Sequence, residues 1–194
     1  MSVLGLLQKR RSIRRYLKKA VPQRLQSRLK EVCLRAPSSR NLCPWTFHFI
    51  ENELVLSKLS ELKPKGAEFI KNAPLAVVIS AVEKDCDTWI EDCSIAAILL
   101  QMAVVDAGLG SCWVQVHKRR RLDGASSEEY VRQVLALPLD NRVLCIITIG
   151  YPAQHPKPNA ADALLWDHIW RLPSEAAEKP VEKKSKQTKF EVIE

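Results

Sequence analysis

Apolar positions along this chain change period several times, and each change predicts a new element. Leu25, Leu29, Val32 and Cys33 recur at helical spacing behind Val21 and Pro22, which predicts a helix with proline in its first turn, ended by Pro37. Residues 45–51, WTFHFIE, alternate as a strand does, and ELVLSKLSEL (53–62) returns to a helical period. PLAVVISAV, opened by Pro74, is rich in β-branched residues and predicts a strand. The run CSIAAILLQMAVVDA is apolar nearly all round, so it predicts a central helix covered on most sides, with Asp92 as its N-cap and Gly108 at its end. A strand GSCWVQV (110–116) follows, then a basic loop HKRRRLDG, a helix capped near Ser126 with Glu129 three residues later, and a last strand VLCIITIG (143–150). Strands and helices mix without strict alternation, which predicts an α+β layered fold.

After Pro173 this pattern stops. The segment 174–194 alternates charges and has almost no large apolar residues until Phe190, so the expected organisation is one folded domain over 1–173 and a flexible charged tail over 174–194. With 194 residues, 46% apolar and 27% charged, and only six Gly and eleven Pro, the composition is that of a folded globular chain. The net charge of +8 is unevenly placed: residues 1–40 carry twelve Lys/Arg against the single Glu31, while 41–174 are slightly acidic and 175–194 neutral. A local cationic patch suits one anionic ligand better than a generally basic surface would.

The longest apolar stretch, Ile95 to Ala107, contains Gln101 and is shorter than the ~20 residues of a spanning helix, and Val3 to Leu7 is too short for a signal core. Cys33, Cys43, Cys86, Cys93, Cys112 and Cys145 form no CxxC pair and no tetrad at zinc spacing, so they read as reduced thiols of a cytoplasmic protein without a metal site.

Three stretches carry candidate chemistry. KRRSIRRY (9–16) sets Ser12 among Arg10, Arg11, Arg14 and Arg15, planar donor forks matched to phosphate; its plainer reading is a solvated basic face. APSSRNLCPWTFHFI (36–50) stiffens with Pro37 and Pro44 a loop exposing Ser38, Ser39 and Asn41, groups able to read a ring with donors and acceptors; alone it is also an ordinary turn-rich connection. In AVVDAGLGSCWV (103–114), Gly108 and Gly110 allow close backbone approach to a flat ligand, or Gly108 is simply a helix cap. His117 with the following KRRR reads as a solvated turn or as an attractor for a phosphate group. Trp45, Trp113, Trp166 and Trp170 read as core or dimer packing, and His48 as outward-pointing or locally bonded.

In this order, RRSIR (10–14), APSSRNLCPW (36–45), AAILLQMAVVDAGLGSCW (96–113) and IGYP (149–152) together resemble the nitroreductase family of flavin-dependent oxidoreductases, over roughly residues 5–172. The resemblance implies a nitroreductase-like α+β fold with a central, mainly antiparallel four-stranded sheet flanked by helices. It implies an intertwined homodimer with two FMN sites at the interface. Arg10, Arg11, Ser12 and Arg14 of one subunit would contact the FMN phosphate, ribityl chain and pyrimidine edge, with Pro37, Ser38, Ser39 and Asn41 coming from the other. Gly110, Val114 and Gln115 would pass near the flavin N5 edge.

The implied reaction is ping-pong: NAD(P)H reduces the flavin, leaves, and is replaced by a small organic acceptor such as a nitroaromatic or a quinone. Two departures from the family pattern stand out. Cys43 occupies a position where the family has Gln, and after IGYP only Lys157 remains of the usual pair of cations. They keep open a flavin-binding protein without turnover, and the basic stretches keep open a nucleic-acid binder, although no signature of one is present.

Overall fold

A computed structural model describes residues 2–170. The chain divides into a unit ending at Pro158 and a second unit beginning at Asn159. The first holds five helices, α1 (Val3–Lys9), α2 (Gln23–Leu34), α3 (Glu53–Leu59), α4 (Trp89–Asp106) and α5 (Ser127–Leu135), and four strands, β1 (Trp45–Ile50), β2 (Leu75–Val82), β3 (Gly110–Gln115) and β4 (Asn141–Gly150). The strands form one antiparallel sheet in the order β1-β2-β4-β3.

All of these elements except α1 are foreshadowed in the sequence pattern, and the sheet separates two cores. Leu75, Val77 and Ile79 of β2 and Cys145, Ile147 and Ile149 of β4 pack with Leu29 and Cys33 of α2 and Trp89, Cys93, Ala97, Leu100 and Val104 of α4. Ala76, Val78, Ile146 and Val114 face the other way, against Leu56 and Leu59 of α3 and Val131 of α5. The alternation of strand side chains thus builds a helix–sheet–helix sandwich from period-2 patterns. The predicted helix over 53–62 is shorter than its apolar period, closing at Ser60, whose N–H returns to the Leu56 carbonyl.

The central helix starts earlier than expected, ends at Gly108 as expected, and leaves one stripe uncovered. Its N-cap is Thr88 rather than Asp92, which lies inside the first turn. At the other end Gly108 adopts φ 72°, with its N–H bonded to the Val105 carbonyl and the Leu109 N–H to that of Val104, the paired bonds of a Schellman stop. Most of α4 is covered, but one stripe is not: Ile95 and Ile98 are 41% and 40% exposed, and half-buried Leu99 and Met102 extend it.

The unit from Asn159 contains two 3-10 turns, Ala161–Ala163 and Trp166–His168. Trp166 and Trp170 are 62% and 79% exposed in the single chain. The predicted tail over 174–194 lies outside the described residues. Cys43 alone among the six free thiols is exposed. Among the described residues no helix is long and apolar enough to cross a membrane.

Candidate flavin site

The N-terminal basic stretch is fastened to the rim of the sheet rather than left in solvent. Ser12 makes a parallel bridge to Ser111, the Ile13 N–H donates to the Ser111 carbonyl at 2.9 Å, and Tyr16 bridges Pro152. The Tyr16 hydroxyl pairs with Thr148 Oγ1 at 2.8 Å, and burial holds that phenol well above its ordinary pKa. Gly110 serves this attachment: a Cβ there would lie 2.7 Å from the Ile13 side chain, so the close approach it permits is to the chain's own Ile13 rather than to a flat ligand. Around Gly108 the same test finds open space.

Anchoring gathers cations at one corner. The Arg11 guanidinium donates to the Lys157 carbonyl, and Arg14 lies over the Phe69 ring at 5.9 Å. Lys63, just beyond α3, joins them: burial, then Arg119 and Arg14, hold its amine below the ordinary lysine range against the opposing pull of Cys112 and Glu68. Cys112, on the same face, has its thiol pushed up by burial against the opposing pull of Arg14, Ser12, Lys63 and Arg10. Arg10, Arg11, Arg14, Lys63 and Arg119 make no ion pair among the described residues. Like charges held together with a half-buried amine favour an anion between them. Lys63 carries no sequence signal beyond a lysine in a turn, and Arg119 falls within a basic run whose plain reading is a solvated turn.

The second group of predicted residues lies elsewhere. Asp92 accepts a hydrogen bond from the Ser39 N–H at 2.9 Å, and the Ser38 hydroxyl accepts from the Cys43 N–H at 2.8 Å. Arg40, Asn41 and Cys43 all have positive φ, 52°, 55° and 49°, so the loop is held in a backbone form that side chains disfavour. Arg40 is additionally paired with Asp87. Pro37 and Asn41 are exposed, and Ser38 and Ser39 half-buried.

Sheet register fixes the separation of the two groups. Trp45, which follows the loop, pairs with Ala81, whereas Ser111 pairs with Ile149 and Ile149 with Leu75, six residues along β2 from Ala81. Six residues at about 3.4 Å each and three strand spacings of about 4.8 Å put Trp45 and Ser111 roughly 25 Å apart, at diagonally opposite corners. One chain therefore does not bring Arg10, Arg11, Ser12 and Arg14 to Pro37, Ser38, Ser39 and Asn41.

Of the remaining predicted residues, Gly110 is packed as described and Lys157 is exposed beside Arg11. The Val114 side chain is buried in the second core. The Gln115 amide is engaged within the chain, accepting from Trp113 Nε1 at 2.8 Å and donating to the His117 carbonyl at 3.2 Å. His48 bonds Ser80 Oγ at 2.9 Å, as a locally satisfied strand histidine.

His117 is buried and not part of a solvated turn, although Lys118, Arg119 and Arg120 after it are exposed. Its Nδ1 lies 2.7 Å from Glu128 Oε1, and Arg142 Nε is 2.9 Å from Glu128 Oε2. Burial would raise the Glu128 carboxyl, but hydrogen bonds from Arg142 and His117 bring it below the ordinary range.

The fold is thus an antiparallel α+β sandwich with a cationic corner on the rim of its sheet. The chain belongs to the nitroreductase family, whose pattern it matches across residues 7–151. A FMN-dependent nitroreductase from Clostridium difficile superposes with a TM-score of 0.85 at 39% identity, covering 87% of this chain and 98% of the other. A Methanothermobacter thermautotrophicus protein provisionally named NADH dehydrogenase/NAD(P)H nitroreductase is 33% identical over 160 residues, 80% of each chain. A Desulfovibrio desulfuricans relative solved in complex with FMN shares the fold, with a TM-score of 0.73 at 20% identity over 89% of this chain and 98% of that one.

Proposed function

We propose that the protein is an FMN-dependent oxidoreductase that takes electrons from NAD(P)H and delivers them to a small organic acceptor. The observation that carries this reading is the unpaired cationic corner formed by Arg10, Arg11, Arg14, Lys63 and Arg119 beside Ser12. The donor set fits FMN: arginine forks and a serine hydroxyl suit the phosphate, while Arg14 and Lys63 suit negative charge at the pyrimidine edge of the ring. When bound, FMN would supply the two-electron chemistry, accepting hydride at N5 from the nicotinamide and passing it to the acceptor.

The chain's own residues bind and orient. Arg10 and Arg11 would hold the phosphate, with Arg11 already steered by the Lys157 carbonyl. Arg14, over Phe69, and Lys63 beside it would lower the cost of charge on the ring. Pro37, Ser38, Ser39 and Asn41 would complete the site from a second copy, because their own corner lies roughly 25 Å away by strand geometry. The uncovered stripe Ile95, Ile98, Leu99 and Met102 of α4 supports that pairing, since an apolar helix face of this kind seeks cover. Three other N-terminal cations are paired within the chain, Arg28 with Asp106, Arg35 with Glu31 and Arg40 with Asp87.

The test is a visible absorbance spectrum of protein loaded with FMN and desalted, followed by anaerobic additions of NADH and NADPH. A retained flavin band that bleaches with either nucleotide is the expected result. Protein that cannot keep FMN overturns the reading, and protein that keeps it without bleaching leaves a flavin-binding protein that does not turn over.

A further inference from the structure

The cations do not stop at the corner assigned to FMN. Beyond Arg14 the chain continues along an open cleft of about 680 Å³ whose wall carries Arg14, Arg15, Lys18, Lys19 and Lys71. That volume lies within the range of small-molecule sites. The wall is fixed where it meets the sheet: the Leu17 N–H donates to the Tyr151 carbonyl at 2.9 Å, and the Ala153 N–H to that of Arg15 at 2.9 Å. The Lys19 ammonium is set 4.3 Å from the centre of the Tyr151 ring.

Two carboxylates also line the cleft. Glu51 accepts from Gln26 Nε2 at 2.7 Å, and Glu53 sits in the first turn of α3, where the helix end favours negative charge. None of the five cations makes an ion pair among the described residues.

We infer that this cleft is the subsite for the phosphates of the reduced nicotinamide dinucleotide. The inference rests on the flavin reading, because it places the nicotinamide over the ring at the corner Arg14 shares with the cleft. From that junction the rest of the dinucleotide has a cationic path to follow, and its diphosphate meets Arg15, Lys18, Lys19 and Lys71. A 2′-phosphate adds charge for the same cluster to bind, so NADPH gains more from the cleft than NADH does. Reduced nicotinamide mononucleotide, which carries the same ring without the ADP half, gains little.

The experiment uses the FMN-loaded full chain and the double variant Lys18→Glu/Lys71→Glu, two exposed positions outside the flavin corner. KM and kcat are measured for NADPH, NADH and reduced nicotinamide mononucleotide. Direct binding of 2′,5′-ADP is measured by calorimetry on both proteins. Reversing two charges near a dinucleotide carrying several phosphate charges should raise the NADPH KM about tenfold or more. The rise should be smaller for NADH, with kcat, FMN retention and the mononucleotide constants unchanged, and 2′,5′-ADP binding should weaken in parallel.

An equal change for all three donors, or none, overturns the subsite while leaving the flavin function intact. If the unaltered protein keeps no FMN, the function itself fails, and calorimetry then decides the cleft: no 2′,5′-ADP binding overturns it. A single-stranded oligonucleotide that binds the unaltered chain where 2′,5′-ADP does not overturns it in favour of a polymeric anion.

Discussion

Asp92 offers a sharp perturbation of the loop proposed to complete the flavin site. Its carboxylate is 3% exposed, accepts from the Ser39 N–H at 2.9 Å, and is within 3.4 Å of both the Thr88 hydroxyl and the Cys86 thiol. Replacing it with alanine orphans the Ser39 N–H beside a loop with three left-handed residues and removes negative charge from the first turn of α4. A hydrogen bond to a charged acceptor contributes about 1.5–3 kcal/mol and the helix-end charge about 0.3–1, so Asp92→Ala should destabilise by about 2–4 kcal/mol. For a chain of this size that is a fall in Tm of roughly 5–15 °C. The assay is thermal unfolding with and without FMN, alongside a titration of FMN retention. Asp92→Asn keeps an acceptor for the Ser39 N–H and should recover most of both losses. Asp87→Ala, which removes only the exposed partner of Arg40, should leave Tm unchanged. A Tm fall below about 2 °C in Asp92→Ala, or FMN retention equal to that of the unaltered protein, would refute the argument that this carboxylate holds the loop in place.

Other predictions follow from the same geometry. Gly110→Ala puts a methyl 2.7 Å from Ile13, so it should cost about 1–3 kcal/mol and loosen FMN, with Ile13→Ala on the same background restoring part of the stability in chemical denaturation. Glu128 has a folded pKa below its reference of 4.5, so its stabilising contribution is full above that pH and is lost as pH falls through the folded value. The acid limb of a stability–pH curve should accordingly flatten in Glu128→Gln. Ile98→Glu places a charge on the uncovered face of α4, and sedimentation velocity should show a dimer for the unaltered chain and a monomer for the variant, with FMN lost together with the pairing.

Most of the fold is legible because its strands and helices differ in period. The β-branched run over 75–82 and the capped segment at Ser126 are set by local sequence, and the structure has them where local chemistry puts them. Asp92 misleads because an aspartate before an apolar run has the form of an N-cap; the helix extends back to Trp89 because that side chain is buried in the first core, a tertiary preference invisible to period. His117 misleads similarly, since a histidine at the head of KRRR looks solvated until Glu128 and Arg142, 11 and 25 residues away, close around it. Of the candidate site, the arginines were legible from their motif. Lys63 was not, because its proximity to Arg14 exists only once the residues after α3 and the N-terminal stretch share one face of β3.

The diagonal placement of the two corners has a thermodynamic consequence. A ligand gripped by one corner of each of two chains is linked to their association: whatever free energy it gains from the second chain, it returns as tighter pairing. Diluting the protein should then release cofactor without any change in the residues that touch it, and excess FMN should restore both assembly and colour together. Specific activity would depend on enzyme concentration, a mass-action property written into the strand order rather than into any single side chain.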